Sequence, residues 1–227
     1  ILLHAALRRS RLGIAGPRGE AMLVDLRDRL ISQADIGKLP PEWYAKSVLR
    51  SAGGTLFAGD FIVADLHRER LKVLIVDVSG KGVVAGTRSL MLSGAFGGLL
   101  MGLPSEEVLP AANRYLLRQA WDEGFATAVF LDLDLLTGEF AIRKAGHVPP
   151  VWMHAGSGTW TVLRSEGPLL GIFSGPEFEE LRGRLEPGDG LMLYTDGLIE
   201  EPGRDIDSGI DRLAGRGEQL LAHGFED

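Results

Sequence analysis

Residues 70–83 read RLKVLIVDVSGKGV: an apolar strand-like run, then an aspartate, then a turn carrying two glycines. The run has the length and the β-branched content of a buried strand. Asp77 stands where that run ends. A carboxylate left alone in such a place loses its hydration at a high cost, so it needs partners that make its burial tolerable.

Working outward, TLFAGDFIVADL (55–66) is a second strand-like segment, separated from the first by His67-Arg68-Glu69, which suits a hairpin. YAKSVLRS (44–51) reads as a further strand upstream. Downstream, two helices are expected at about 84–101 and 105–121, with Ser105 as cap and Glu106 and Glu107 in the first turn of the second. ATAVFLDLDLLTGEFAIRKAG (126–146) forms a hairpin turning at Thr137-Gly138. Short strands follow at VWMHA, TWTVLR, EFEELRGRL and GLMLYT, and a last helix at about 208–223. Many antiparallel strands with a few grouped helices predict an α+β fold, an antiparallel β-sandwich flanked by helices.

Bulk properties narrow the function. The chain has 227 residues, enough to bury a sizeable core, and a formal net charge of −7 without a dense Lys/Arg stripe, which argues against nucleic-acid and membrane partners. It contains no cysteine, which excludes disulfides, thiolate zinc sites and a cysteine nucleophile and suits a reducing cytoplasm. The longest uncharged run, Ser89 to Ser105, is rich in Gly and Ser and is expected to be a buried helix rather than a membrane span. No signal peptide precedes it, since ILLHAALRRS places its apolar part before its basic part.

Residues 20–34 carry Leu23, Leu26, Leu30 and Ala34 on one stripe, an amphipathic helix. We assign residues 1–38 to a connecting region and 39–227 to the main domain. The helix packs on its own domain or, in the alternative, pairs with a second copy to give a homodimer.

Asp77 is one of three acids in similar settings. Asp60 sits in LFAGDFIVA and Asp196 in LMLYTDGLIE, each against an apolar strand with a glycine beside it. Three converging carboxylates repel, and one would take up a proton unless a cation shares their charge. Oxygen-rich, cysteine-free ligation favours Mg²⁺ or Mn²⁺ over zinc. Other chemistries fail on spacing. A phosphate loop ending at Gly80-Lys81 needs Gly at 75 and Ser or Thr at 82, where Ile75 and Gly82 stand. A nucleophile elbow at Ser93 needs glycines where Met91 and Ala95 stand. The five histidines show no zinc-binding spacing, and His147, in KAGHVPP, reads as a structural hydrogen-bonding residue.

Taken in order, GDFIVAD, VDVSGKGV, FATAVFLDLDLLTGEF, AGHVPP, GPLLGI and LEPGDGLMLYTDGLIE resemble the SpoIIE/RsbU-type bacterial serine/threonine phosphatases, part of the metal-dependent type 2C superfamily. The resemblance runs from about residue 40 to about 213. It implies a site with two Mn²⁺ or Mg²⁺ ions, held by Asp60, Asp77, the Val78 carbonyl and Asp196, with Asp77 bridging both. The three aspartates are then the catalytic set, and the ions activate water for attack on a phosphoserine or phosphothreonine. It further implies a phosphorylated anti-anti-sigma-type protein as substrate, an upstream sensor domain and a role in sigma-factor regulation.

Two departures matter. The family's GGDxxD pattern has Ala58 and Val63 at its first Gly and second Asp, and Asp65 lies too near the hairpin to substitute. The Asp-Asp turn and last strand that usually close the domain do not follow HGFED, so the domain is expected to lack its C-terminal strand, leaving one ion weak or absent. The alternative function is therefore a catalytically weak, phosphatase-like regulatory or protein-binding module.

Overall fold

The computed structural model describes residues 25, 28–48, 59–80, 82–121, 124–199 and 209. Strands β1 (Phe61–His67) and β2 (Arg70–Val78) form the expected hairpin, with Arg68 in the left-handed region at φ 54°. Helices α1 (Gly82–Gly102) and α2 (Ser105–Gln119) follow. Then come β3 (Ala126–Asp134), β4 (Glu139–Ala145), β5 (Val151–His154), β6 (Thr159–Val162), β7 (Glu180–Arg184) and β8 (Gly190–Met192). One sheet has the order β1-β2-β3-β4-β7 and the other β6-β5-β8, with every named pairing antiparallel. The fold is α+β, an antiparallel sandwich flanked by helices, as expected.

Strands β2 and β3 lie inside the larger sheet, covered on both sides, which accounts for their nearly unbroken apolar sequences. Side chains alternate between two cores. Phe61, Val63, Leu74, Val76, Val78 and Phe130 face the helices, where they meet Leu92, Phe96 and Leu100 of α1 and Leu109 and Leu116 of α2. Ile62, Val73, Ile75, Val129, Leu131 and Ile142 face the second sheet. The two sheets are joined by Phe140 and Trp152, packed edge to face at 5.1 Å between ring centroids. Gly183 leaves room for that pair: a Cβ there would lie 2.4 Å from Phe140.

The run Ser89–Ser105 lies within α1 and the start of α2, and among the described residues no helix is long and apolar enough to cross a membrane. Residues 28–33 are helical, and Leu30 and Ala34 are buried, so this part of the connecting region packs against the sandwich. Residues 43–48 form no strand. There the Trp43 indole donates to the Leu135 carbonyl at 2.8 Å and the Ser47 hydroxyl to the Ala34 carbonyl at 3.0 Å, so the segment covers the sandwich edge instead of extending a ladder. Residues 49–51 and almost all of the expected last helix lie outside the described residues.

Ser105 does not cap α2. Pro104 occupies the N-cap position, and the Ser105 hydroxyl is drawn to the buried carboxylate of Asp132, a stronger acceptor. Arg70 closes the same carboxylate with two bonds, of 2.7 and 3.2 Å. Lys72, beside Asp132 in the β2–β3 register, donates to the Leu100 and Leu103 carbonyls and so neutralises the C-terminal end of α1. This cluster anchors the helix pair to the sheet. Asp132→Ala would leave the Ser105 hydroxyl and the Arg70 guanidinium without their acceptor. A loss of about 3 kcal/mol is expected in chemical denaturation, reduced below the deepest cases because Arg70 is 55% exposed.

Candidate metal centre

The register of the first hairpin decides where the acids fall. Phe61 pairs with Val76, so Asp60, one residue earlier, lies opposite Asp77, and Asp77 in turn pairs with Thr127 of β3. Alternation puts this row on the face turned toward the second sheet, at one end of the sandwich. The Asp60 and Asp77 carboxylates lie close enough to share a proton. Both are only half-buried, as is Asp196, so the end of the sandwich is open to water.

Asp196 comes from the other sheet. It opens a single 3₁₀ turn, Asp196–Leu198, just after β8. The preceding Thr195 donates its hydroxyl to Asp60 Oδ2 at 2.8 Å, which fastens this turn to the β1 end. Burial raises the Asp60 pKa above the ordinary carboxylate range; the bonds from Thr195 and Asp77 oppose the rise, and the Asp196 charge adds to it. Asp60 is thus acted on both by Asp77, its neighbour across the hairpin, and by Asp196 from the far end of the chain.

Gly59 shapes the floor. A Cβ on it would lie 2.3 Å from the Val78 carbonyl oxygen and 3.0 Å from Asp77 Oδ1, so the bare Cα sits against two oxygen donors that a side chain would push apart. Its carbonyl accepts from Ser89 of α1 at 2.6 Å and from the Val78 amide at 3.4 Å. Gly59→Ala is expected to lower stability by about 2 kcal/mol, because the neighbour that must yield is backbone. It should also weaken Mn²⁺ binding, read by titration calorimetry.

His147 ties the two sheets together behind the acids. It is buried, and its Nε2 lies 2.9 Å from the Tyr194 carbonyl oxygen, which can only accept, so Nε2 carries the proton. Nδ1 then accepts from the Thr127 hydroxyl at 2.7 Å. Burial drives the His147 pKa down to about 4, against the favourable Tyr194 bond and with a smaller push from Lys144, whose Nζ donates to the His147 carbonyl. The imidazole is a neutral strut between the strand beside Asp77 and the segment leading to Asp196. The sequence reading of His147 as structural matches this geometry.

The donors against Gly59, the Asp77 carboxylate and the Val78 carbonyl, are hard oxygens of the kind Mg²⁺ and Mn²⁺ take. Asp196 is set against Asp60 through its charge. Among the described residues no three acidic or histidine side chains are drawn together tightly enough to hold an ion by themselves. Asp65 pairs with Lys72 toward the other end of the hairpin, away from this group. Asp205, Asp207, Asp211 and Asp227, and the Lys81 side chain, lie outside what is described. Thr127, Thr195, Ser89 and Gly59 were not singled out from the sequence. Only Gly59, in the cut-down GGD pattern, and Thr195, in YTDG, carried any signal.

Comparison with known proteins agrees with the fold. The family described as Stage II sporulation protein E (SpoIIE) matches residues 67–225, more than half of the chain. Phosphoserine phosphatase RsbU of Bacillus subtilis is 27% identical over 144 residues, covering 63% of this chain and 43% of RsbU. The chain therefore spans less than half the length of that relative. The crystal structure of the RsbU and RsbW domains of Rv1364c from Mycobacterium tuberculosis superposes with a TM-score of 0.66 at 30% identity, covering 74% of this chain and 47% of that one. RsbX in complex with magnesium shares the fold at a TM-score of 0.53 and 19% identity, covering 72% of this chain and 82% of RsbX. With its sandwich, its paired acids and its matched length, the chain belongs to the SpoIIE family.

Proposed function

We propose that this domain is a metal-dependent protein serine/threonine phosphatase. The observation that carries the reading is the close Asp60–Asp77 carboxylate pair on one hairpin, with the Asp196 charge brought to it by a late segment at the open end of the sandwich. Such a group is costly with nothing to share its charge and favourable around divalent ions. Asp60, Asp77, Asp196 and the Val78 carbonyl are the residues that would hold two Mn²⁺ or Mg²⁺ ions, with Asp77 between them. When bound, the ions supply an acidified water and screen the phosphate charge.

The chain's own part is positioning. Gly59 lets the Val78 carbonyl and the Asp77 carboxylate share one floor, Thr195 orients Asp60, and His147 sets the distance between the two sheets' contributions. No protein nucleophile is needed, in keeping with the absent cysteine and the failed serine motif.

The substrate we infer is a phosphorylated anti-anti-sigma-type protein, and the setting cytoplasmic sigma-factor regulation, with residues 1–38 leading from an upstream sensor domain. Support comes from the SpoIIE family match and from a relative named a phosphoserine phosphatase. The test is hydrolysis of an aryl phosphate and a phosphoserine peptide with Mn²⁺, with and without chelator. Turnover that chelator removes and added metal restores supports the reading. Metal-independent turnover, or none with metal bound, sinks it and favours a binding module.

A further inference from the structure

Arg88, on the second turn of α1, is used by nothing described so far. Its guanidinium carbon lies over the Trp121 ring, 4.6 Å from the centroid, and its Nη1 reaches the Ser79 carbonyl at 3.4 Å. Ser79 is the residue after Val78, so the cation stands one residue along the backbone from a proposed ligand. Among the described residues no carboxylate forms an ion pair with it, although acids dominate this chain. A guanidinium offers five N–H donors, and among the described residues one long bond to a carbonyl engages it.

The surroundings favour an incoming ligand over a purely internal role. Gly80, at φ +121°, has no side chain to screen the guanidinium, and a Cβ there would lie 3.9 Å from Nη1. The contact with Trp121 restrains where the planar group sits, which lowers the rotamer entropy it would otherwise lose on binding. A planar fork of donors fixed in this way matches the oxygens of a phosphate or a carboxylate. The centre beside it is acidic and repels the same anions, so a fixed cation at its rim is where an approaching anionic substrate gains attraction.

We infer that Arg88 is an oxyanion-binding residue that positions the substrate beside the Asp60–Asp77 centre. The anion is either the phosphoryl group itself or a carboxylate flanking it in the phosphoprotein. This rests on the phosphatase reading, and the experiment separates the two. The 227-residue chain with Mn²⁺, as wild type, Arg88→Gln and Arg88→Lys, is compared on an aryl phosphate and on two phosphoserine peptides, with and without flanking Asp or Glu. Binding of inorganic phosphate is measured in parallel by calorimetry.

If the phosphoryl group is the ligand, Arg88→Gln raises KM for all three substrates and Kd for phosphate by about ten-fold, with kcat changed much less. If a carboxylate is the ligand, only KM for the acidic peptide rises. Arg88→Lys, which keeps the charge without the fork, restores part of either effect, a rescue that a merely structural brace would not show. A lower melting temperature with KM and phosphate Kd all within about two-fold of wild type overturns the inference, because it assigns Arg88 to holding Trp121 and the turn. Arg88-dependent phosphate binding without turnover in any variant would sink the phosphatase reading and keep this site. Absence of both binding and turnover would sink both.

Discussion

Asp77→Asn is expected to lower metal-dependent hydrolysis by about 10³-fold or more while the protein stays folded. The change is nearly isosteric and the side chain sits beside Asp60. Asparagine offers an amide N–H to the Asp60 carboxylate and removes one of two neighbouring carboxylates that repel each other when both are ionised. In chelator the variant should therefore melt at or above the wild-type temperature, and the stabilisation that Mn²⁺ gives the wild type should shrink. Turnover assayed with saturating Mn²⁺ and melting followed with and without chelator give both readouts. Full activity in the variant would remove Asp77 from the catalytic set. A melting temperature far below wild type in chelator would show that the carboxylate is needed for the fold itself.

The second large effect is on stability and follows from His147. In the folded protein its pKa is near 4, whereas an unfolded chain has the ordinary value of about 6.5. Above pH 6.5 both states are neutral and the group is silent. As the pH falls through 6.5 the unfolded chain takes up the proton first, and folding loses stability until the folded imidazole protonates near 4. The lost stability approaches about 3 kcal/mol at the lower end. Denaturant midpoints taken at pH 7, 6, 5 and 4.5 on wild type and His147→Gln test this. The variant should be less stable at pH 7, having lost the Thr127–His147–Tyr194 chain, yet flatter with pH. Parallel profiles would mean that His147 protonates freely and is not the strut described.

Much of the fold was legible because the informative patterns are local. The hairpin at 67–69, both helices and the turn at Thr137-Gly138 follow from periodicity and turn residues, and the hairpin register alone brings Asp60 opposite Asp77. What was not legible depends on how distant pieces dock. Nothing in LMLYTDG says that Thr195 will meet Asp60, 135 residues away, or that His147 will reach the Tyr194 carbonyl. Ser105 shows the same limit within one element. Its sequence context is that of a cap, but a buried carboxylate on β3 outcompeted the helix end for its hydroxyl. YAKSVLRS has strand-like composition, yet residues 43–48 of the structure cover an edge instead, since the indole and hydroxyl bonds there fix the segment from outside any ladder.

The Thr195–Asp60 bond and the His147 strut have a consequence for biosynthesis. Asp60 and Asp77 lie together on one hairpin early in the chain, while Asp196 arrives only when a late segment from the opposite layer docks. A ribosome-bound or proteolytically clipped product lacking that late segment would own two of the three acids and an incomplete centre. On the phosphatase reading proposed above, hydrolysis would begin only after synthesis has passed Asp196.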